Sequence, residues 1–152
     1  MNSGEQRRLE TLHSLRLLDT AAEESFDSYT RLAAIICEVP IALISLVDAN
    51  RQWFKSKVGL AATETPRDIA FCDQAIRQDR LFEVADATAD VRFSNNPLVT
   101  RDPKIRAYAG MPLITSNGEA IGTLCVIDRV PRMFTPQQRE ALKILAAQLM
   151  QM

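Results

Sequence analysis

Three cysteines and one histidine are the side chains of this chain best suited to nucleophilic or metal chemistry: Cys37, Cys72, Cys125 and His13. A zinc site needs three or four ligands at suitable spacing, and these residues form no such cluster. A Cys-His or Ser-His pair would have to recruit His13, which falls in a helical pattern and is interpreted as a solvated residue on a helix face. Phosphate-cradling loops of the GxxxxGK[ST] or GxGxxG type do not occur. We therefore predict no catalytic residue, no metal site and no enzyme activity.

Cys72, in the predicted short helix before the lid, is the thiol best placed to line a cavity, although simple packing is the favoured interpretation. A thiol near the start of a helix can have a lowered pKa and become reactive. Cys125, within the apolar run TLCVI, is interpreted as a small buried hydrophobic residue, and Cys37 as structural. One alternative stays open, a thiol-based reductase using Cys72 with Cys125, which requires their Cα atoms to lie about 4.4–6.8 Å apart. An odd number of widely spaced cysteines also indicates reduced thiols and a cytoplasmic location.

Residues 86–106 have no sustained helical or strand period, although the segments on either side do. Connections in compact domains have about 4–6 residues, and longer ones usually cover a site or are disordered. Apolar anchors argue against disorder, so we predict a folded lid over a site. Its charges are interpreted mainly as local ion pairs and turn caps, with Arg106, at the junction with the next strand, as the candidate cation for a ligand. The apolar anchors are Val91, Phe93, Leu98, Val99 and Ile105.

Three aromatic residues near the lid define the candidate pocket. Tyr108 follows Arg106 by two positions, so the two-residue period of a strand places both side chains on one side. Phe71, Phe93 and Tyr108 either wall an apolar pocket with few polar groups or fill a plain core. The residues alone leave both interpretations open.

Helical and strand patterns supply the elements that must position these residues. Apolar residues at helical spacing predict helices over residues 5–18 and 25–39, the second ended by Pro40. A short helix over residues 69–77, capped by Asp68, precedes the lid. The order helix, helix, strands and helix indicates an α+β or α/β sandwich around one sheet. The predicted strands cover residues 41–47, 52–58, 82–85, 107–114 and 120–128, the last two joined through Asn117-Gly118.

The last helix, over residues 135–152, has both a clear start and a regular apolar stripe. Thr135 and Gln138 form a predicted capping box, with Pro136 at the first helical position. The stripe has the 3-4-3 spacing of a coiled coil and is still running where the sequence stops. It consists of Leu142, Leu145, Leu149 and Met152.

Length and composition indicate one globular domain over residues 1–152. The chain is 47% apolar and 24% charged, which is ordinary for a packed domain. A net charge of −1 provides no basic field for a phosphate backbone, so nucleic acid is not expected as a partner. The longest apolar runs, such as residues 41–47, are far shorter than the roughly 20 residues that span a bilayer, so no membrane association is expected.

Six motifs in fixed order resemble a GAF domain, and the resemblance extends from about Leu17 to Leu149. It is nearest to the bacterial subgroup found in signalling proteins with histidine kinase or cyclic-di-nucleotide output modules. The motifs are LLDTAAEESFDSYTRLAA, VPIALISLVDANRQWFKSKVGL, ETPRDIAFCDQAI, VADATADVRFSNNPLV, IRAYAGMPL and IGTLCVIDRVPRMFTPQQ.

The resemblance implies an antiparallel sheet of about five or six strands, with the terminal helices on one face and short helices and loops covering a pocket on the other. It places the pocket along residues 71–76, 86–93 and 106–111. Ala70 and Gln74 replace a serine and a histidine that relatives often carry, and the NKFDE-type motif of cyclic-nucleotide binders is absent. The cysteine patterns of bilin-binding and methionine sulfoxide reductase relatives are not matched either. The candidate ligand-binding residues are Phe71, Cys72, Gln74, Ala75, Asp86, Phe93, Arg106, Tyr108 and Met111.

The leading functional hypothesis is a non-catalytic sensory or regulatory domain. We expect it to bind an unidentified small molecule, to form a homodimer through its terminal helices, and to control an output domain of the kinase or cyclic-di-nucleotide type. The sequence identifies no cofactor. A structural dimerisation module without a ligand is the alternative, followed by the thiol-based reductase.

Overall fold

The computed structural model describes residues 3–151, which form five α-helices, six strands and two short 3-10 turns. The α-helices are α1 (Ser3–Ser14), α2 (Glu24–Cys37), α3 (Phe71–Ala75), α4 (Pro97–Thr100) and α5 (Pro136–Leu149). The strands are β1 (Ile41–Val47), β2 (Arg51–Val58), β3 (Glu64–Pro66), β4 (Phe82–Val84), β5 (Ala107–Ile114) and β6 (Ala120–Asp128). The 3-10 turns are Arg67–Ile69 and Ala87–Ala89. Among these residues, no helix is both long and apolar enough to cross a membrane.

The strands form one antiparallel sheet in the order β3-β2-β1-β6-β5-β4, which confirms the predicted α+β class. Every residue of β1 is buried, as are the seven residues Ile121–Ile127 of β6. Successive side chains of a strand point to opposite faces, so strands of this kind need cover on both faces. The sheet therefore carries two separate cores.

The two cores divide the residues of β1 between them. Ala42 and Ile44 belong to the core on the helix face, with Leu12 of α1, Ala33 of α2 and Leu142 of α5. The other core is covered by α3 and the lid. It includes Ile41, Leu43 and Val47 of β1, Phe71 and Cys72 of α3, and Phe93 and Ile105 of the lid.

The ends of the first two helices differ from the predicted ones because of left-handed backbone positions. The first helix ends at Ser14 rather than at residue 18, and Arg16 and Asp19 have φ of 54° and 60°. The second ends at Cys37, because Glu38 adopts φ 54° and its N–H donates to carbonyls of the last turn. Such a left-handed cap ends the helix before Pro40 is reached.

The prediction of a helix over residues 69–77 was wrong about the bounds of the helix and about its capping residue. Asp68 lies within the 3-10 turn, and α3 begins only at Phe71 with Ala70 at the capping position and no side-chain cap. The strand β3 was missed, since three residues that include Pro66 carry no readable alternation.

The α5 capping box is confirmed, and the apolar stripe of α5 packs within its own domain. Thr135 Oγ1 accepts from the Gln138 N–H at 3.1 Å, and the Gln138 side chain accepts from the Thr135 N–H at 2.9 Å. Leu142 and Leu149 are buried in the helix-face core and Leu145 is partly buried against it, while Met152 lies outside the described residues. Most of the stripe is therefore already covered by this chain.

The lid contains more regular structure than its sequence indicates, in the form of two short turns with side-chain caps. Asp86 Oδ1 accepts from the Thr88 N–H at 3.0 Å at the 3-10 turn, and Asn96 Oδ1 accepts from the Leu98 N–H at 2.8 Å at α4. Phe93, Val99 and Ile105 are buried as expected and Leu98 is partly buried, but Val91 is 95% exposed and anchors nothing.

A chain of ion pairs joins α1 to the start of the covered face. Arg67 donates to Asp73 of α3 at 2.8 Å and to Glu5 of α1 at 2.6 Å. Glu5 also pairs with Arg8 at 2.9 Å, and the buried Arg8 guanidinium donates to the Val47 carbonyl at 2.7 Å. The hydrogen bond from Arg8, together with the contact to Arg67, overrides burial and lowers the pKa of Glu5 from 4.5 to about 2.

Gly122 provides the first test of this packing. A Cβ at Gly122 would lie 1.9 Å from the Ser45 carbonyl oxygen of β1, so alanine forces the two central strands apart. We expect Gly122→Ala to lower the free energy of unfolding by about 3 kcal/mol in urea denaturation. Gly118→Ala is the control, because φ is +86° there but the space is open, and we expect a loss of about 1 kcal/mol. Equal losses for the two variants would contradict the close approach of β1 and β6.

The pH dependence of unfolding tests the ion-pair chain. The Glu5 carboxylate takes up a proton near pH 4.5 in the unfolded chain but only near pH 2 in the folded chain. The stabilisation that its ion pairs give the folded state is therefore complete above pH 4.5 and is lost as the pH falls toward 2. We expect wild type to exceed Glu5→Gln in unfolding free energy above pH 4.5, with a difference that shrinks below it. Glu10→Gln, on an exposed part of the same helix, is the control for the effect of a Glu-to-Gln substitution in α1. A parallel pH profile for wild type and Glu5→Gln would contradict the pairing.

Candidate functional site

The three predicted aromatic residues meet beneath the lid as a packed cluster. Phe71 and Phe93 stack with ring centroids 4.1 Å apart, and Tyr108 lies 5.3 Å from Phe71. Phe82 of β4 packs edge-on against both Phe93 and Tyr108, each at 6.1 Å. All four rings are buried, so this part of the predicted pocket is filled by side chains.

The lid is fixed over this cluster by its own charges. Arg92 pairs with Asp90 at 2.6 Å and lies over the rings of Phe82 and Phe93, at 5.0 and 5.3 Å from their centroids. Asn96 also donates from its amide to the Ile69 carbonyl at 2.8 Å, which joins the lid to the turn before α3. The interpretation of these charges as local pairs and caps is confirmed for Asp86, Asp90 and Arg92.

An open cleft of about 470 Å³ lies beside the aromatic cluster. Apolar side chains from the central strands and the lid form most of its wall, and the loop after β2 forms its rim. This composition is typical of small-molecule sites, which combine an apolar wall with a few placed polar groups. The apolar wall includes Ile41, Leu43, Phe54, Leu98, Ile105 and Ile127.

A buried hydrogen-bonded chain supplies the polar side of the cleft. Ser45 Oγ donates to Gln52 Oε1 at 2.8 Å, and Gln52 Nε2 donates to Thr65 Oγ1 at 2.6 Å. These bonds fix the orientation of the Gln52 amide, which retains a second N–H for a ligand acceptor. At the mouth, Arg129 donates to the Pro103 carbonyl at 3.1 Å, and Asp102 lines the same opening.

Gln52 and Thr65 are site residues that the sequence interpretation missed. The signal available was the two-residue period of β2, which places Gln52 on the side of Phe54 and opposite Trp53. That Gln52 is buried, which is unusual for a glutamine, is visible only in the structure. The facing position of Thr65 lies on β3, which was not predicted.

The predicted ligand-binding residues fall into three groups in the structure. Phe71, Cys72, Ala75, Phe93 and Tyr108 are brought together in the buried core beneath the lid. Gln74 and Asp86 are half-buried, and Asp86 is engaged in capping the lid turn.

Arg106 and Met111 occupy positions that differ from the expected ones. The Arg106 guanidinium donates to the carbonyls of Val99 and Ile105, at 2.9 and 3.0 Å, so it stabilises the backbone conformation of the lid. Met111 packs against the helix-face core, because it is three positions from Tyr108 on the same strand and so faces the other side of the sheet. The expected placement of Met111 on the pocket side was therefore wrong.

Cys72 lies at the centre of a buried polar cluster between α3 and the sheet. Its sulfur is 3.1 Å from Tyr108 Oη and 3.0 Å from Thr123 Oγ1. Burial raises the pKa of the Cys72 thiol, but hydrogen bonding with neighbouring side chains, among them Thr123 and Tyr108, outweighs burial and lowers it. The hydrogen bond to Cys72 and burial together raise the pKa of Cys125 well above its usual value.

The remaining candidates for chemistry are engaged elsewhere. His13 Nε2 lies 2.8 Å from Asp48 Oδ1 at the surface. Burial raises the pKa of Cys37 from 9.0 to about 11, and all three cysteines are free thiols. Within residues 3–151, no group of three or more histidine, cysteine or acidic side chains is placed to hold a metal ion.

Comparison with known proteins places this geometry in context. The family model described as the GAF domain matches residues 21–152. A cyclic di-GMP phosphodiesterase of Pseudomonas aeruginosa is 48% identical over 128 residues, which cover 84% of this chain but only 22% of that relative.

Solved structures match the fold at low sequence identity. The GAF domain of an Acinetobacter phosphoenolpyruvate-protein phosphotransferase superposes with a TM-score of 0.71 at 18% identity, covering 99% of this chain and 93% of that one. A type II free methionine-R-sulfoxide reductase from Thermoplasma acidophilum gives a TM-score of 0.68 at 12% identity, over 84% and 88%. With a six-stranded antiparallel sheet, helices on one face, a lid on the other and a family match from residue 21 to residue 152, the chain belongs to the GAF domain family.

Proposed function

We propose that this GAF domain is a non-catalytic regulatory module of a bacterial signalling protein, which binds a small molecule in the cleft and controls an attached output domain. The Pseudomonas relative is named as a cyclic di-GMP phosphodiesterase, and this chain matches about a fifth of its length. This relationship supports a cyclic-di-nucleotide output over a kinase output.

The single observation that carries the proposal is the cleft of about 470 Å³ beside the aromatic cluster. A cleft of this size accommodates a small organic molecule. Its apolar wall is built from both the central strands and the lid, so a bound molecule would contact both at once. Phe71 and Phe93 do not line the cleft, but they belong to the same buried core as its wall residues.

The polar groups of the cleft indicate the chemistry of the ligand. An apolar body fits the wall around Phe54 and Ile127, and one hydrogen-bond acceptor would meet the remaining N–H of Gln52. Arg129 and Asp102 place one charge of each sign at the mouth. A neutral or zwitterionic molecule suits this arrangement better than a polyanion, because no cluster of cations faces the cleft among the residues that line it.

A route from the cleft to the helices runs through the shared central strands. Leu43 of β1 lines the cleft, and its neighbour Ile44 packs in the core of the helix face. A ligand that favours one position of β1 therefore changes the packing beneath α2 and α5. Regulation of this kind requires two states with different ligand affinities.

Homodimerisation through the helix face is the second part of the proposal. α2 and α5 pack against each other, and both expose apolar side chains: Leu32 is 44%, Ile35 71% and Ile144 53% exposed. Exposed apolar residues on neighbouring helices are typical of an interaction surface. The apolar stripe of α5 itself is mostly buried, so a dimer would use these outward residues.

A structural dimerisation module without a ligand is the alternative function. The stacking of Phe71 on Phe93 at 4.1 Å favours it, because a filled interior is what that hypothesis predicts. The alternative differs from the sensor in one measurable respect, which is whether the adjoining cleft binds anything.

Blocking the cleft tests ligand binding. We expect the purified 152-residue chain to retain a small molecule detectable by native mass spectrometry, or to gain thermal stability from a metabolite library. Ala62 is exposed at the rim and lines the cleft, so Ala62→Trp should reduce binding at least tenfold.

The matched control is Ala89→Trp, another exposed alanine, which lies in the 3-10 turn of the lid outside the cleft lining. Retained binding in the control with loss in Ala62→Trp supports the sensor. No ligand for wild type under either method supports the dimerisation module instead.

Charge introduced on the helix face tests the dimer. We expect wild type to run as a dimer in light scattering at micromolar concentration and Ile35→Glu with Ile144→Glu to run as a monomer, because an unpaired carboxylate is costly to bury. Val91→Glu, at a site that is 95% exposed on the lid, should stay dimeric. A monomeric wild type would contradict relay through paired helices.

A further inference from the structure

The cleft beside the aromatic cluster is elongated, and the register of the sheet gives its length. Its lining reaches from Gln52 on β2 to Ile127 near the end of β6. Gln52 lies opposite Val47, the last residue of β1, and Ile127 lies opposite Ile41, the first residue of β1. Since β1 has seven residues and a strand advances about 3.3 Å per residue, the lining extends over roughly 20 Å along the strands.

The two long sides of the cleft keep it narrow. The loop after β2, residues 59–62, forms one side, and Leu98 and Ile105 of the lid form the other. Lys57 fixes this loop, because its Nζ donates to two carbonyls of the loop at 2.7 and 3.1 Å. A volume of about 470 Å³ drawn out over that length leaves a mean cross-section of roughly 25 Å². This width suits a single extended chain rather than a broad ring system.

A cationic side chain stands at the mouth of the cleft. Arg129 continues the lid-facing row of Cys125 and Ile127, since alternate residues of a strand share a face. Its Nε donates to the Pro103 carbonyl at 3.1 Å, and its two terminal nitrogens have no partner within the described part of the chain. One carboxylate would form a neutral pair with this guanidinium, whereas a second negative charge would face Asp102 at the same opening.

Gln52 is the polar group at the inner end of the cleft. It is 4% exposed, and its amide is held by Ser45 and Thr65 at 2.8 and 2.6 Å. An apolar group that displaced water from this end would leave the second N–H of the amide without an acceptor, and an unpaired buried donor is costly. A ligand oxygen at the end of a chain avoids that loss.

Taking the cleft as the ligand site of the proposed function, we propose that it binds a linear amphiphile: an unbranched hydrocarbon chain with one carboxylate at Arg129 and an oxygen acceptor at its far end, on Gln52. An extended chain advances about 1.3 Å per carbon at a C–C bond length of about 1.5 Å, so about twelve carbons fit between the two side chains.

Isothermal titration calorimetry with straight-chain hydroxy carboxylates below their critical micelle concentrations tests the ligand class on the purified 152-residue chain. We expect 12-hydroxydodecanoate to bind, and 6-hydroxyhexanoate to bind at least about a hundredfold more weakly, because it buries fewer methylenes. We expect 16-hydroxyhexadecanoate to bind no more tightly than the twelve-carbon molecule, because the lining ends at Gln52 and Thr65. Dodecanoate, which lacks the terminal oxygen, should bind about tenfold more weakly than 12-hydroxydodecanoate.

Two substitutions at the ends of the cleft distinguish these contacts from general apolar binding. Gln52→Met keeps the length of the side chain and removes its N–H, so dodecanoate should then bind more tightly than 12-hydroxydodecanoate. Arg129→Gln should weaken binding of 12-hydroxydodecanoate about fivefold and leave binding of the neutral 1,12-dodecanediol unchanged. Arg101→Gln is the matched control, because Arg101 is an exposed charge of the same lid outside the cleft lining, and it should change neither.

Failure of the linear ligand and failure of the site give different results. A compact metabolite that binds wild type but not Ala62→Trp, in a chain that does not bind 12-hydroxydodecanoate, would overturn the linear ligand and leave the sensory function standing. Binding of 12-hydroxydodecanoate that is unaffected by Gln52→Met and Arg129→Gln, or that survives Ala62→Trp, would place the amphiphile outside the cleft and overturn the linear ligand as well. The absence of any ligand for wild type would remove both proposals.

Discussion

The burial of β1 and β6 on both faces is the constraint on which the rest of this structure depends. All seven residues of β1 are buried, and Gly122 of β6 lies so close to the Ser45 carbonyl that no side chain fits between them. Alternating side chains then require cover above and below the same strands. The helices provide it on one face, and α3 with the lid provides it on the other, so the two cores cannot shift independently.

A loop that covers a core must satisfy its own backbone, and this requirement explains the polar residues of the lid. Asp86 and Asn96 cap its turns, and Arg106 donates to two lid carbonyls. With these groups engaged locally, the adjoining cleft keeps an apolar wall and draws its polar groups mainly from β2 and β3. The lid charges thus serve mainly to hold the cover in shape, as predicted for most of them, and Arg106, the one candidate cation for a ligand, donates to lid carbonyls as well.

Local signals predicted the parts of this fold that local physics decides. The bounds of β1, β5 and β6 agree with the predicted ones, and the capping box of Thr135 and Gln138 is present as predicted. Apolar runs, hairpin turns and caps depend on residues that are close in sequence, so they can be recognised from the sequence alone. The ends of the first two helices, at Ser14 and Cys37, could not be predicted, since the positive φ at Arg16 and Glu38 reflects the path of the chain through the tertiary structure.

The same difference between local signals and long-range packing applies to the candidate site. Phe71, Cys72, Phe93 and Tyr108 were identified from their types and order, and the structure brings them together. Whether they enclose space or fill it depends on how the lid packs on the sheet, which is a long-range property. Gln52 was missed for a related reason, since its role follows from its pairing across to Thr65 on a strand too short to recognise.

The ion pairs of α1 have a consequence for where this folding unit begins. The family match starts at residue 21, yet Arg8 and Leu12 are buried within the domain, and Arg8 donates to the carbonyl at the end of β1. A polypeptide cut at the family boundary would keep the whole recognisable signature while leaving that carbonyl without its guanidinium and the helix-face core without Leu12. The region that the family model matches therefore begins at residue 21, whereas the residues that complete the packed domain include α1, which lies further toward the N-terminus.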